Sequence, residues 1–481
     1  MGRCGSVTRA AYRDGDTPRM AGVAPPHLRP PGRRAVAACT VLVGMVLAAP
    51  PLATGASARG QQPGGWEATW TAGLVPATDR LVAGRGALAG FTDQTFRQVV
   101  HVSAGGRTLR LRFSNAFGHV PLTIGAASVG AQGLGPAVEA VVAVSFRSGR
   151  SVTIPAGGAV TSEPVPFTVE PGTDLAVSMF FPQATGPVAW HFLALQTSYS
   201  TLPGAGDHTM DQSGAGFPVT SRAWYVLSGV DVLEPPGHAT VVAFGDSITD
   251  GFGATGDGSH RWPDVLWSRL DRSGYPLAVV DAGIGKNRIL SDDPTIGGPS
   301  GLSRLRRDAL DQPGARTIIF LEGINDIFAG ATAAAVIGAM RTIVGESHAD
   351  GLAIFGGTLT PVCRTGPREA RREEVNAFVR TSHVFDGVVD FAAAVEDPAA
   401  PACLQPRFDS GDHVHPDDAG YAAMAGAVDA ARLDRASGAA APAPASTSVL
   451  SPAAAALVLA ACAGAPVAVL CRRRTVAGAR R

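Results

Sequence analysis

Three residue types in this chain could together do acyl chemistry: a serine, a histidine and an aspartate. Val241-Val242-Ala243-Phe244 is an apolar, β-branched run that Gly245-Asp246-Ser247 breaks. It reads as a buried parallel strand. A serine at the carboxyl end of such a strand stands where open α/β sheets hold their ligands. Its hydroxyl is a weak nucleophile and needs a base held by a third group. Far downstream, Asp409-Ser410-Gly411-Asp412-His413-Val414-His415-Pro416 supplies both. Asp412 and His415 are three apart, and Pro416 keeps His415 out of a helix interior. A carboxylate so placed can reach one ring nitrogen while the other faces Ser247, which is the logic of a catalytic triad.

These segments resemble the GDSL/SGNH hydrolase family. Gly245-Asp246-Ser247-Ile248-Thr249-Asp250 is similar to its nucleophile segment, and Asp412-x-x-His415 to its terminal one. Between them, Asp281-Ala282-Gly283-Ile284-Gly285-Lys286-Asn287-Arg288 resembles its glycine segment, and Gly323-Ile324-Asn325-Asp326 its Gly-x-Asn-Asp segment. The resemblance runs from about Thr240 to Arg435. It is strongest to secreted arylesterases and acetylxylan-esterase-like enzymes, through Arg261-Trp262-Pro263-Asp264 and the Gly-Ile-Gly-x-Asn-Arg run.

The resemblance implies roles. Ser247 is the nucleophile, His415 the general base and Asp412 its orienting partner. The family spacing selects His415 over His413, and Asp412 over Asp409, Asp417 and Asp418. The oxyanion hole is expected from the Ser247 N–H, an N–H of the Gly285-Lys286 turn and the Asn325 amide. Losing one such donor costs about 2.7–4 kcal/mol in the barrier. Asp246, Asp250 and Asn287 support these groups, with Asp246, Thr249 and Asp250 bracing the serine turn. Lys286 departs from the family, where a second glycine is common. At positive φ a lysine is strained by roughly 1–2 kcal/mol. Alternatively, its ammonium reaches over the cleft towards an anionic substrate. No metal site or cofactor is expected: Asp-His-x-His has no further ligands at suitable spacing.

The elements that must position these residues alternate after Thr240. Strands are expected near Val241–Phe244, Leu277–Asp281, Thr317–Leu321, Leu352–Gly356 and Val388–Phe391. Helices are expected near Trp262–Arg272, Leu302–Gln312, Ala333–Glu346, Arg368–Ser382 and Asp418–Leu433. Pro367 suits a first helical turn, and Asp417 or Asp418 a cap. The expected fold is α/β: a three-layer α/β/α domain on a parallel sheet, residues 239–435. From 66 to 235 the texture is all-β, with short alternating runs between turn residues and no helix of ordinary length. An antiparallel, jelly-roll-like sandwich is expected there. Its expected role is to pack on the α/β domain and shape its cleft; carbohydrate binding through an exposed Trp190 or Trp224 is the alternative. Trp262 is expected to pack the first helix rather than line the pocket.

At 481 residues the chain has room for both domains plus extensions. Forty basic and forty acidic residues give no net charge, and no nucleic-acid partner is expected. Lysine is almost absent. Residues 1–58 read as an export signal: a basic stretch, an apolar one and Ala56-Ser57-Ala58. Met20 is an alternative start. In an exported protein the isolated pair Cys363 and Cys403 suggests a disulfide. Closing about 40 residues would stabilise by roughly 4 kcal/mol. Residues 436–448 form an Ala/Pro/Ser linker. The apolar run 449–471 is expected to be a transmembrane helix, and the basic 472–481 a cytoplasmic tail. The chain is thus expected to be exported, anchored on the outer membrane face or secreted, and monomeric.

The expected activity is cleavage of small acyl esters, acetyl esters first, through an acyl-enzyme. An acetylated polysaccharide is the preferred substrate, and a lipase-like or aryl-ester acylhydrolase the alternative. A cell-surface carbohydrate-binding protein with an inactive hydrolase domain is the reading from another class.

Overall fold

The computed structural model describes residues 65–80, 84–233 and 237–439. The segments expected at 1–58, 449–471 and 472–481, and most of the 436–448 linker, lie outside them. Among the described residues no helix is long and apolar enough to cross a membrane. The longest, Ala333–Ala349, has 17 residues and carries Arg341 and Glu346, short of the ~20 apolar residues a bilayer requires. The transmembrane helix and membrane anchor expected from sequence therefore find no support among the described residues, and neither is retained.

From Ala239 onwards the chain builds a five-stranded parallel sheet. Its spatial order is Leu277–Gly283, Ala239–Gly245, Ala315–Leu321, Ala353–Gly357, Gly387–Val389. All seven residues of Ala239–Gly245 are buried, as its unbroken apolar pattern requires when both faces are covered. The chain leaves this strand towards one sheet edge and returns past it to Ala315–Leu321. Right-handed crossovers then send helices to opposite faces. The point of reversal lies beside the carboxyl ends of Ala239–Gly245 and Ala315–Leu321, where such sheets bind ligands.

The helix Trp262–Arg272 matches its expected span, with Pro263 in its first turn. Trp262 is fully buried, its ring 5.1 Å from that of Phe391. Two other helices differ from the sequence reading. Leu302–Gln312 is an α-turn, Gly301–Leu305, followed by a π-turn, Arg306–Leu310. Asp418–Leu433 is broken into Asp418–Gly426 and Ala430–Ser437. Asp429 causes that break by capping the second piece, accepting the Arg432 N–H at 3.0 Å. Asp417 caps the first piece.

Residues 66–233 form two antiparallel sheets of four and six strands, with two further two-stranded pairs, Leu122–Ile124 with Val152–Ile154 and Trp190–His191 with Trp224–Tyr225. One core receives Leu109, Leu111 and Val230 from the first sheet and Val100, Val177 and Met179 from the second. The six-residue Gly84–Ala89 is the only helix among the described residues of this part. Trp190 and Trp224 are core residues, 0% and 2% exposed. Their indole N–H groups donate to the Pro76 and Val99 carbonyls. Neither can serve as the exposed sugar platform considered from sequence.

The antiparallel part is bonded directly to the α/β part. The Ala68 N–H donates to the Pro313 carbonyl at 2.8 Å, and the Val279 N–H to Ser103 Oγ at 3.2 Å. Arg112 donates to Gln312 Oε1 at 2.7 Å. Cys363 and Cys403 are joined as a disulfide across 40 residues.

Candidate active site

Ser247 opens a single helical turn, Ser247–Asp250, at the end of the central strand. Asp246 caps this turn: its Oδ1 accepts the Ile248 N–H at 3.0 Å. Gly251 closes it at φ 88°, donating back to the Ser247 carbonyl. Such a tight turn holds the Ser247 hydroxyl clear of the strand. Oγ lies 2.8 Å from His415 Nε2. His415 Nδ1 lies 2.6 Å from Asp412 Oδ2. The other carboxylate oxygen, Oδ1, accepts the N–H groups of Val414 and His415 at 2.9 and 2.8 Å. A carboxylate accepts only, so Nδ1 carries a proton and Nε2 is left to accept from Ser247.

Partial burial pushes the Asp412 carboxyl up. The hydrogen bonds from the His415 ring and the two N–H groups outweigh it and hold Asp412 below its ordinary value. The Phe252 ring covers the imidazole, 4.5 Å between centroids. His413 points elsewhere: its ring bonds Asp409 at 2.6 Å and its side chain is 68% exposed. Asp418 is engaged by the Thr255 N–H and His260.

The donors expected for an oxyanion are divided by the structure. The Gly285 N–H is already taken by Asp250 Oδ2 at 2.8 Å. Gly285 is therefore corrected from donor to support. Lys286 follows at φ 65°, and its N–H donates to no protein group among the described residues. The Ser247 N–H, first in its helical turn, is likewise unspent among them. Asn325 stands in the turn after Ala315–Leu321. Its amide nitrogen lies 3.0 Å from the Asn287 carbonyl and 3.4 Å from Asp246 Oδ2, beside the serine turn. The Lys286 ammonium does not hang free over the cleft. It bonds Thr295 Oγ1 at 3.0 Å and lies 3.6 Å from Asp293.

Asn287 is fully buried and ties three segments. Its amide donates to the Gly297 and Pro299 carbonyls, and its Oδ1 accepts from Arg304. Arg304 also donates to the carbonyls of Gly245 and Ala282 at 2.7 Å, pinning two strand ends, and lies 3.8 Å over the Phe244 ring. Sequence reasoning missed Arg304, because an arginine in a helical stretch ordinarily marks a solvated face. It also missed Asp326, whose carboxylate accepts the Ile289 and Leu290 N–H groups, although Asp326 stands in the Gly-x-Asn-Asp segment. His191, from the antiparallel part, bonds Asp250 and had no local signal. Burial pushes Asp246 up to about 7 and Glu322, beside Arg304, up to about 8. Among the described residues no group of three or more His, Cys, Asp or Glu side chains could hold a metal ion.

Residues 243–423 match the GDSL-like lipase/acylhydrolase family, and the chain is by that domain a carboxylic ester hydrolase. No curated protein matches the chain. Solved structures similar to it include three esterases or acylhydrolases. An aryl esterase of M. smegmatis is 19% identical, covering 41% of this chain and 99% of its own, with TM-score 0.32. A carbohydrate acetylesterase family member from Sinorhizobium meliloti is 19% identical over 41% of this chain and 98% of its own, with TM-score 0.33. A lipase/acylhydrolase from Enterococcus faecalis is 22% identical over 43% of this chain and 100% of its own, with TM-score 0.32.

Proposed function

We propose that the protein is an exported serine esterase that removes small acyl groups, acetyl first, through an acyl-enzyme. The observation that carries this reading is the line Ser247 Oγ, His415 imidazole, Asp412 carboxylate, with contacts of 2.8 and 2.6 Å.

In the first step His415 Nε2 takes the Ser247 proton as Oγ bonds to the ester carbonyl carbon. The carbonyl oxygen becomes an oxyanion facing the N–H groups of Ser247 and Lys286, and the Asn325 amide joins them by giving up its longer contact, 3.4 Å to Asp246 Oδ2. Asp412 holds the ring's tautomer and stabilises the imidazolium. As the C–O bond to the alcohol breaks, Nε2 returns the proton to the departing oxygen. Water then enters, gives its proton to Nε2 and attacks the acyl-enzyme; as the bond to Ser247 Oγ breaks, Nε2 passes that proton to Oγ, releasing the acid and restoring Ser247. Every step is a proton transfer or an acyl transfer. The Cys363–Cys403 bridge supports export, since disulfides persist in oxidising compartments.

Acetylated polysaccharide is the proposed substrate class. The test is acetate release from acetylated xylan and from a p-nitrophenyl acyl series, by wild type and Ser247→Ala. Serine-dependent release from xylan is expected. Activity confined to the aryl esters and rising with acyl length would move the assignment to a lipase-like acylhydrolase. Rates equal in both proteins would overturn the serine mechanism.

A further inference from the structure

The antiparallel part places a histidine against the serine turn. His191 lies in the two-residue strand Trp190–His191, paired with Trp224–Tyr225. Its side chain is 3% exposed, stacked on Trp224 at 5.4 Å between ring centroids. Both ring nitrogens are engaged: Nδ1 lies 3.0 Å from the Gly73 carbonyl and Nε2 2.9 Å from Asp250 Oδ1. A carbonyl and a carboxylate both accept, so satisfying the two contacts requires two ring N–H groups and an imidazolium. Burial and the nearby Arg261 oppose that charge. The Asp250 carboxylate outweighs both and raises the His191 pKa.

The second oxygen of Asp250 takes the Gly285 N–H at 2.8 Å. Phe192, next to His191, packs on the same turn: a side chain at Gly285 would come within 2.4 Å of its ring. The following residue, Lys286, sits at φ 65°. A non-glycine residue there is strained by roughly 1–2 kcal/mol, and such conformations persist only where the surroundings over-determine them. Other bonds between the two parts, such as Arg112 to Gln312 and Val279 to Ser103, hold them together away from the serine.

We propose that His191 is a positioning residue for ester hydrolysis: through Asp250 and Gly285 it fixes the turn that presents the Lys286 N–H to the oxyanion. This rests on the serine-esterase reading above. It makes the antiparallel part a working piece of the active site rather than a neighbouring module.

The test compares two substitutions in the full chain. In His191→Asn the amide nitrogen falls near the Nδ1 position, keeping the Gly73 contact and leaving Asp250 Oδ1 without its donor. In His191→Gln it falls near the Nε2 position and still reaches Asp250. Backbone hydrogen exchange over 283–288 and kcat and KM for p-nitrophenyl acetate are measured for both, with Gln312→Ala as the control for a remote contact between the two parts. H191N is expected to exchange faster at Gly285 and to lose on the order of 10- to 10²-fold in kcat, with KM changed about twofold or less, the pattern of an interaction made in the transition state. H191Q is expected to recover most of both, and Q312A to change neither. If H191N does not fold, His191→Phe, which keeps the ring stack, is read in the same way. Wild-type exchange and kcat in H191N, or equal losses in H191N and H191Q, would overturn this inference alone. A wild-type enzyme without Ser247-dependent turnover would overturn the esterase reading and this inference with it.

Discussion

Asp412 is the residue whose single role is easiest to isolate. Its Oδ2 faces His415 Nδ1 at 2.6 Å while its Oδ1 is held by two backbone N–H groups. In Asp412→Asn the amide keeps the shape. However, its nitrogen turned towards Nδ1 moves the ring proton to Nε2, which then cannot accept from Ser247. The expected loss in kcat is on the order of 10⁴, with KM little changed. A loss below tenfold, measured on p-nitrophenyl acetate, would mean that Asp412 does not set the tautomer. At this scale the sequence was informative because chemistry limits residue types: Ser247 at a strand end and an Asp/His cluster downstream stand out from the bare chain, while the choice of Asp412 and His415 within that cluster came from the family spacing. The Gly285 N–H could not be placed the same way. Which N–H of a turn is spent depends on Asp250, 35 residues away, and on backbone angles that no residue type states.

At the scale of elements, the site hangs on the ends of Ala239–Gly245 and Ala315–Leu321, and one buried carboxyl there sets a pH dependence. Glu322 follows the second strand and is fully buried. Its oxygens have no hydrogen-bond partner among the described residues; Arg304 Nη2 lies 3.6 Å away. Burial raises it to about 8 from 4.5. Its folded pKa is above the unfolded one, so the folded state binds more protons through that window. Stability therefore falls as pH rises from about 4.5 to about 8. The amide introduced by Glu322→Gln cannot titrate. The Tm of this variant relative to wild type is expected to climb by several degrees between pH 5 and 8, since the linkage is worth roughly 3 kcal/mol across that window and each kcal/mol moves Tm by about 2–4 °C in a domain of this size. Parallel Tm curves would contradict this.

Strand positions were legible from apolar β-branched runs, and the helix Trp262–Arg272 from its period and its Pro263 start. The π-turn at Arg306–Leu310 was not legible, because its residues read as ordinary helix. The break before Asp429 carried a signal, a capping aspartate, that a continuous helical pattern obscured.

For the whole molecule, the junction between the antiparallel and α/β parts is bonded along its length, from Ala68–Pro313 to His191–Asp250. The two cores also share residues: Ala68 of the antiparallel part packs in the α/β core, and Ala278 and Ile284 pack in the antiparallel core. A protease site inserted between Leu233 and Gly237 and then cut is expected to leave both pieces co-eluting and active. Pieces that separate on size exclusion, with activity retained in the α/β piece alone, would contradict a shared active site. The presence of an all-β part was readable from its short alternating runs. Its contribution to the site was not, because His191 has no motif around it and meets Asp250 only through the fold.

In the proposed reaction Ser247 carries the acyl group. The most direct measurement is peptide-resolved mass spectrometry of protein quenched during turnover of an acetyl ester. An acetyl group is expected on Ser247, absent in Ser247→Ala and accumulating in His415→Ala after slow acylation. Acetate release by wild type with no acetyl on Ser247, or equal release by Ser247→Ala, would contradict it.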